Sequence, residues 1–245
     1  MRQHAEGRGD GGLLSPRSDR WLPSPTRNVG QLEATPAVDL RLVLFTIAAG
    51  DLWLALHAAG ESYRLPGGTP TPERPLDADA QRLSRGMTGS TGQYLEQLYT
   101  LSVSEETGWT VIVGYLGLIA STTEGPTAIV GEWHRVNDLP PVTRADRMMI
   151  DYAVLRLRAK LGYTSIAFHL LPSTFSMGEL QGAYEAILGR PLDKRNFRRR
   201  VIAAGFLEPT GDERRDGSHR PARLYRFPST ADRETYLTPP WAESA

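Results

Sequence analysis

The chain has 245 residues, of which 40% are hydrophobic, so it can build one large domain or two small ones. It contains no cysteine, which excludes disulfides and thiolate metal sites. No apolar run approaches the roughly 18–20 residues of a membrane span, and the start MRQHAEGRGDGG lacks the apolar core of a signal peptide. We therefore expect a cytoplasmic protein without a membrane partner.

The formal net charge of zero conceals an uneven distribution. Residues 190–226 hold eleven Lys or Arg against five Asp or Glu, a net charge of +6, so the rest of the chain carries −6. This asymmetry predicts a basic module joined to an acidic one.

Four segments follow from the composition and the periodicity along the chain. Residues 1–37 are rich in Gly, Pro, Ser and Arg without periodicity, which predicts a disordered extension, and residues 229–245 read as a flexible tail. Between them, residues 38–142 and residues 143–228 are predicted as two domains.

The first predicted domain opens with two β-rich apolar runs separated by Gly50 and Asp51, which is typical of a hairpin. The turn sequence YRLPGGTP and a helix over LDADAQRLSRGMTG follow. Further strands are predicted at QYLEQLYTLS and WTVIVGYLGLIAS.

The second predicted domain begins with a long amphipathic helix over RADRMMIDYAVLRLRAKLGYT. Its apolar stripe consists of Ile150, Val154, Leu157 and Leu161. That stripe can face the helix's own domain or a second subunit, and the sequence leaves both open.

Two shorter helices are delimited by their capping residues. Ser176 and Glu179 have the spacing of a capping box, and Gly189 predicts the end of the first helix. Asp193 is a favourable N-cap for the second helix, and Gly205 is a favourable residue just past its end. A short turn joins the two, as in a helix-turn-helix.

On the second helix, Phe197, Val201 and Ala204 form a narrow apolar face, with Arg195 and Arg199 opposite to it. Ile202 departs from this pattern. It falls away from the apolar face, so either the helix is rotated or another element covers this residue.

Two short strands, predicted at Phe206–Thr210 and Arg223–Phe227, flank a polar loop that contains His219 and resembles a wing. Arg and Asn side chains can read guanine and adenine edges. The alternative is a solvated basic helix beside a charged loop, but the order of helix, turn, basic helix and hairpin favours DNA binding. The predicted DNA-binding residues are Lys194, Arg195, Asn196, Arg198, Arg199, Arg214, Arg215 and Arg220.

The YRLPGGTP turn resembles the start of a Nudix domain, whose box reads G-x5-E-x7-R-E-U-x-E-E-x-G-U with U aliphatic. With the box laid on Gly68, its arginine and its last glycine are present, but each metal-binding glutamate is replaced. Arg74, Leu83, Gly86 and Met87 stand in the glutamate positions. Neither the nearby Glu73 nor the string EETGW at 105–109 restores a site, so we expect no metal, no cofactor and no hydrolase activity.

Over residues 38–228 the chain resembles the NrtR family of Nudix-related transcriptional regulators. The resemblance is strongest in the LPGG turn, in YLEQLYT, and from LGYTSIAFHLLP to RLYRF. It implies a two-domain α+β fold, with a Nudix-like α/β/α sandwich followed by a winged helix-turn-helix. It also implies a homodimeric repressor that binds a palindromic operator and senses a nucleotide, ADP-ribose in the NAD-metabolism members.

The predicted effector-binding residues cluster around the LPGG turn and the following strand. They are Arg41, Arg64, Gly67, Gly68, Arg82, Tyr94, Glu96 and Gln97. Arginines can hold a diphosphate without metal. The plainer interpretation is that the two glycines only make the turn and that Tyr94 only packs.

Three other functions remain open from the sequence. The chain could regulate sugar-catabolism genes through a different effector. It could be a residual ADP-ribose pyrophosphatase with a basic appendage, or a constitutive DNA-binding protein whose Nudix-like domain serves only as a dimerisation scaffold.

Overall fold

The computed structural model describes residues 35–105, 108–122, 127–215 and 221–228. The described residues from Pro36 onward belong to one compact unit. The predicted tail at 229–245, and all but the last three residues of the predicted extension at 1–37, lie outside the described residues. Among the described helices, none is long and apolar enough to cross a membrane.

The first half of the described chain forms one sheet and one helix. Its elements are β1 (Ala37–Ala48), β2 (Asp51–Ala59), β3 (Ser62–Arg64), β4 (Gly67–Gly68), α1 (Leu76–Thr88), β5 (Tyr94–Glu105), β6 (Gly108–Leu118) and β7 (Glu132–Arg135). The predicted hairpin, helix and two later strands are confirmed. The short strands β3, β4 and β7 were not predicted.

The second half is mostly helical. Its elements are α2 (Arg144–Leu161), a 3₁₀ helix (Ile166–Leu170), β8 (Phe175–Ser176), α3 (Met177–Leu188), α4 (Lys194–Ala204), β9 (Glu208–Arg214) and β10 (Ala222–Arg226). The three strands pair in the order β8-β10-β9 beside α3 and α4, which is the arrangement of a winged helix-turn-helix.

The large sheet has the order β3-β2-β1-β6-β5, with β4 on β1 and β7 on β2. β1 runs parallel to β6 and antiparallel to β2. Alternate β1 residues enter two different cores: Leu42 packs on the α1 side with Ala80, and Phe45 packs on the α2 side with Ile150. Burial on both faces explains why β1 reads as a continuous apolar run.

Helix α2 closes the second face of the sheet, which completes the predicted α/β/α sandwich. Ile150, Leu157 and Leu161 of the predicted stripe are buried. The stripe therefore faces the helix's own chain. The same core continues past residue 143 and includes Leu180 of α3 and Val201 of α4.

Three details of the basic module differ from the sequence predictions. Arg214 lies in β9, paired with Ala222, and not in the loop, because the hairpin extends further than expected. Ala204 is exposed and does not contribute to the apolar face. Ile202 is 56% exposed although Phe197 and Val201 are buried, so the helix is not rotated and no described element covers Ile202.

Candidate functional site

Helix α4 is held by local contacts that leave one side free. The Asp193 carboxylate accepts a hydrogen bond from the Asn196 N–H at 2.7 Å, and Gly205 ends the helix with a φ of 67°. Buried Phe197 packs edge-on against Tyr184 of α3, with ring centroids 5.3 Å apart. These contacts fix which side of α4 faces the core.

The solvent-facing part of α4, which we call the recognition surface, carries four exposed cations and one exposed amide, with Arg195 and Arg199 opposite the buried face and the others towards its edges. Its polar members are Lys194, Arg195, Asn196, Arg198 and Arg199. The Arg199 Nη2 donates to the Asn196 side-chain oxygen at 2.6 Å. Guanidinium and amide groups displayed together on one helix can donate to base edges and phosphates.

The three arginines predicted in the wing differ in where they lie. Arg215 is exposed beside the hairpin loop, and Arg220 lies outside the described residues. Arg214 instead pairs with the Glu179 carboxylate, with Nη2 2.5 Å from Oε2. That carboxylate also accepts the Ser176 N–H at 2.7 Å, which completes the predicted capping box. Arg214 is thus directed at the start of α3.

A second polar group, which we call the junction cluster, joins β5 to α2. It consists of Tyr94, Glu96 and Lys160. The Lys160 ammonium donates to the Tyr94 hydroxyl at 2.7 Å and to the Glu96 carboxylate, and the Tyr94 hydroxyl donates to the same carboxylate at 2.7 Å. The side chain of Lys160 is only 9% exposed. Arg156 lies further out, with Nε 3.6 Å from Glu96 Oε1.

The junction cluster borders a cavity of about 310 Å³ between the sandwich and the 3₁₀ helix. The Tyr94 ring contacts the His169 ring at a centroid distance of 4.7 Å. The cavity lining includes Ser90, Gln93, Tyr94, Thr127, Phe168 and His169. Of the predicted effector-binding residues, Tyr94 alone reaches this cavity within the described part of the chain.

Arg41 and Gly67 come together on the neighbouring strands β1 and β4. Arg41 is buried, with Nη1 2.5 Å from Asp39 Oδ2 and Nε 3.6 Å from Asp146 Oδ1 on α2. A Cβ on Gly67 would lie 2.0 Å from the Leu40 carbonyl oxygen. This close approach requires glycine at position 67, which supports the plainer, structural interpretation of that residue. Gly68, by contrast, has open space around it.

The other predicted effector-binding residues lie elsewhere. Arg64 and Gln97 are exposed on β3 and β5. Arg82 Nε lies 3.1 Å from Asp79 Oδ1 on α1. The Thr71 N–H, which donates to the Asp79 carboxylate at 2.5 Å, and the guanidinium groups of Arg82 and Arg74 lower the pKa of that carboxyl.

The Nudix-box positions on α1 carry no carboxylate where the box has its glutamates. The last glycine of the box, Gly89, ends α1 with a φ of 66°. Leu83 and Met87 pack in the core on this side of the sheet. No group of three potential metal ligands occurs among the described residues. The residues present therefore do not fit the Mg²⁺ ion that a Nudix box would bind.

Several contacts connect the sandwich to the winged helix. Arg158 Nε of α2 donates to the Ile187 carbonyl near the end of α3 at 2.9 Å. The Ser121 N–H donates to the Leu170 carbonyl at 3.1 Å. Within the winged helix, the Phe168 ring stacks on Phe227 with centroids 4.4 Å apart. The sandwich is thus joined by hydrogen bonds to both the 3₁₀ helix and the end of α3.

Sequence reasoning missed Lys160 and His169. Lys160 lies next to Leu161 and one helical turn after Leu157, both in the apolar stripe of α2. A lysine at the edge of such a stripe usually keeps its ammonium in water, so this position alone did not reveal the buried cation and its carboxylate partner. His169 carries no comparable signal.

The outer side of α2 carries a second apolar stripe. Met148, Tyr152 and Leu155 are exposed at helical spacing, and Leu155 is 63% exposed. The Tyr152 ring contacts Tyr99 of β5, with centroids 4.9 Å apart. Contiguous exposed apolar groups of this kind are typical of protein interfaces.

The chain is similar to known proteins over most of its length. Residues 167–227 match the model of the NrtR DNA-binding winged helix domain. A curated relative from Acinetobacter baylyi, named an ADPR responsive transcriptional repressor, is 32% identical over 207 residues, which is 79% of this chain and 82% of the relative.

Solved structures show the same similarity. Shewanella oneidensis NrtR in complex with a 27mer DNA aligns with a TM-score of 0.67 and 28% identity over 78% of this chain and 93% of that one. A MutT/nudix family protein from Enterococcus faecalis shares the fold, with a TM-score of 0.59 and 19% identity over 80% of this chain and 90% of that one. The basic outer face of α4, the wing strands, the Nudix-like sandwich and these similarities together show that this chain belongs to the NrtR family of DNA-binding transcriptional regulators.

Proposed function

We propose that this protein is a repressor of NAD-metabolism genes whose operator binding is controlled by ADP-ribose. The observation that carries the proposal is that α2 contacts β5, the strand that borders the cavity beside Tyr94, at one side and the α3 end of a winged helix at the other. The name of the Acinetobacter relative supports the repressor role and the choice of effector.

In this proposal the recognition surface enters the major groove. Arg195 and Arg199 point most directly away from the buried Phe197 and read base edges, while Lys194 and Arg198 contact the flanking phosphates. Arg215 and Arg220 of the wing add phosphate or minor-groove contacts. The Arg214 contact with DNA, also predicted from the sequence, competes with its ion pair to Glu179.

The proposed effector site is the cavity beside Tyr94. This cavity touches both the loop after α1 and the 3₁₀ helix, so a bound nucleotide contacts the sandwich and the winged helix simultaneously. The Tyr94 and His169 rings offer stacking faces, and the Gln93 and Ser90 side chains offer hydrogen bonds. A ligand that binds one arrangement of this junction better than another shifts the population of DNA-binding conformations.

We further propose that the protein does not hydrolyse its effector. The replacement of the box glutamates by Leu83, Gly86 and Met87 leaves few oxygen ligands for Mg²⁺. Incubation of ADP-ribose with Mg²⁺ and the full chain should leave the nucleotide intact when analysed by chromatography. Turnover that disappears on Glu96→Gln or Glu73→Gln substitution would instead establish a pyrophosphatase.

The outer stripe of α2 supports the homodimer implied by the family. An antiparallel pairing of two α2 helices that places Tyr152 against the partner's Leu155 also places Asp151 against the partner's Arg156. Apolar groups thus meet in the centre, and opposite charges meet beside them. Leu155→Glu should convert a dimer to a monomer in sedimentation velocity, whereas Val130→Glu, at a similarly exposed site elsewhere, should not.

The function is tested with the full chain and an operator selected by that chain from random DNA. Fluorescence anisotropy should show tight, sequence-specific binding that changes by fivefold or more with ADP-ribose. An unchanged Kd with ADP-ribose, together with a changed Kd on addition of a sugar phosphate, would favour the sugar-catabolism alternative. No response to either metabolite would favour constitutive binding.

A further inference from the structure

The recognition surface contains one large apolar side chain among its cations. Ile202 is 56% exposed and follows Arg195 and Arg199 by seven and three residues. Residues three, four and seven apart lie on one side of an α-helix. The neighbouring α4 side chains Arg198 and Ala203 are also exposed, so the isoleucine projects from the basic surface.

The position of Ile202 has no structural explanation within the described protein. The core on this helix is supplied by Phe197 and Val201, which are buried. An exposed β-branched residue also has a lower helix propensity than Ala, Lys or Arg. Neither packing nor helix formation therefore accounts for an isoleucine here.

The surroundings of Ile202 indicate the chemistry of its partner. The three guanidinium groups of the recognition surface favour a polyanion, yet Ile202 itself favours an apolar group. Duplex DNA presents both, because the thymine C5-methyl is the apolar group that bases display in the major groove. An apolar protein partner would not match the arginines.

We propose that Ile202 contacts a thymine methyl group and makes this protein select thymine at one position of its operator. The proposal rests on the proposed role of α4 as the recognition helix. Three residues of helix span about 4.5 Å, slightly more than the rise of about 3.4 Å between base pairs. The thymine therefore lies within about two base pairs of the base that Arg199 reads.

The test removes only the methyl group. In the selected operator, each thymine is replaced in turn by uracil, and the Kd of the full chain is measured by anisotropy. Burial of one methyl group corresponds to about a fourfold change in Kd, so one uracil position should weaken wild-type binding by about that factor.

Substitutions of Ile202 test whether this side chain causes the loss of affinity for uracil operators. Ile202→Ala should bind the thymine and the uracil operators equally well, and Ile202→Val should retain most of the preference. Because the side chain is exposed, neither substitution should lower the melting temperature. A wild-type protein that tolerates uracil at every position, or an Ile202→Ala variant that still prefers thymine, would overturn the proposal.

A different result is expected if α4 is not the recognition helix. If Arg195→Ala and Arg199→Ala both leave operator binding unchanged, α4 is not the recognition helix and the proposed DNA orientation is wrong. Loss of binding in those variants, with no uracil effect in the wild type, contradicts the thymine contact alone.

Discussion

The recognition surface and the junction cluster use similar charged side chains in opposite ways. On α4, Arg195 and Arg198 extend into solvent, and Arg199 makes one contact on its own helix. In the junction cluster, Lys160 is buried and satisfied by Tyr94 and Glu96. Exposed charges are available to an external partner, whereas the buried ones hold two parts of the chain together.

This difference separates binding from stability. Removal of an exposed arginine should alter DNA affinity and leave folding intact, because the group has little to lose within the protein. Removal of one buried partner should alter folding, because it leaves an opposite charge without compensation. Substitutions at buried and exposed positions can therefore be told apart by measuring stability and operator affinity side by side.

Lys160→Met should lower the free energy of unfolding by up to about 3 kcal/mol, since the partly buried Glu96 then keeps only the more exposed Arg156, whose Nε lies 3.6 Å from Oε1. Urea denaturation followed by circular dichroism measures this loss. The double variant Lys160→Met, Glu96→Leu should recover most of it, because both charges are removed together. A loss below about 1 kcal/mol in the single variant would mean that the cluster does not hold β5 to α2.

Gly67→Ala should destabilise the protein by about 1–3 kcal/mol, because the added methyl group collides with the Leu40 carbonyl oxygen and forces β4 away from β1. Gly68→Ala is the matched control, since its Cβ meets nothing within 4 Å. The two melting curves are compared at the same pH. Equal stability of the two variants would contradict a strictly structural role for Gly67.

Arg199→Ala should weaken specific operator binding by about 1–3 kcal/mol without changing the melting temperature. Arg214→Ala provides the contrast: since this side chain pairs with Glu179, its loss should slightly lower stability and affect DNA binding less. Anisotropy and thermal denaturation of both variants separate the two roles. The contrast fails if Arg214→Ala weakens DNA binding more than Arg199→Ala does.

Asp79 gives a smaller, pH-dependent effect. Its folded-state pKa is lowered from 3.8, chiefly by the Thr71 N–H, so its contribution to stability is present above pH 3.8 and is lost as the pH falls through the folded-state pKa. The melting temperatures of wild type and Asp79→Asn should therefore differ at neutral pH and converge in acid. If the difference in melting temperature stays constant with pH, the lowered pKa of Asp79 is not the cause of that difference.

The features that the sequence predicted well are those set by neighbours along the chain. The capping box of Ser176 and Glu179 and the N-cap Asp193 involve residues three positions from their partners. The apolar stripe of α2 and the separation of the α4 faces also follow from helical periodicity alone. These local signals were sufficient to predict α3 and α4 of the winged helix, but not the length of its hairpin.

The features that the sequence did not predict depend on contacts between distant residues. Lys160 meets Glu96 from 64 positions away, and nothing in β5 indicates that its glutamate is neutralised by a helix. Arg214 meets Glu179 only after the hairpin folds back on α3. The role of Gly67 likewise depends on the Leu40 backbone in a paired strand. Candidate effector residues chosen by proximity in sequence therefore lie on different elements in the structure.

The proposed function requires that the junction cluster transmits the effector signal to the recognition surface. Its most direct test is the operator Kd with and without saturating ADP-ribose, for wild type and for Tyr94→Phe, which keeps the ring but lacks the hydroxyl that bonds Lys160 and Glu96. ADP-ribose should change the wild-type Kd at least fivefold, and Tyr94→Phe should keep the ligand-free Kd but lose most of that change. An equal response to ADP-ribose in both proteins, or no response in the wild type, would contradict the claim.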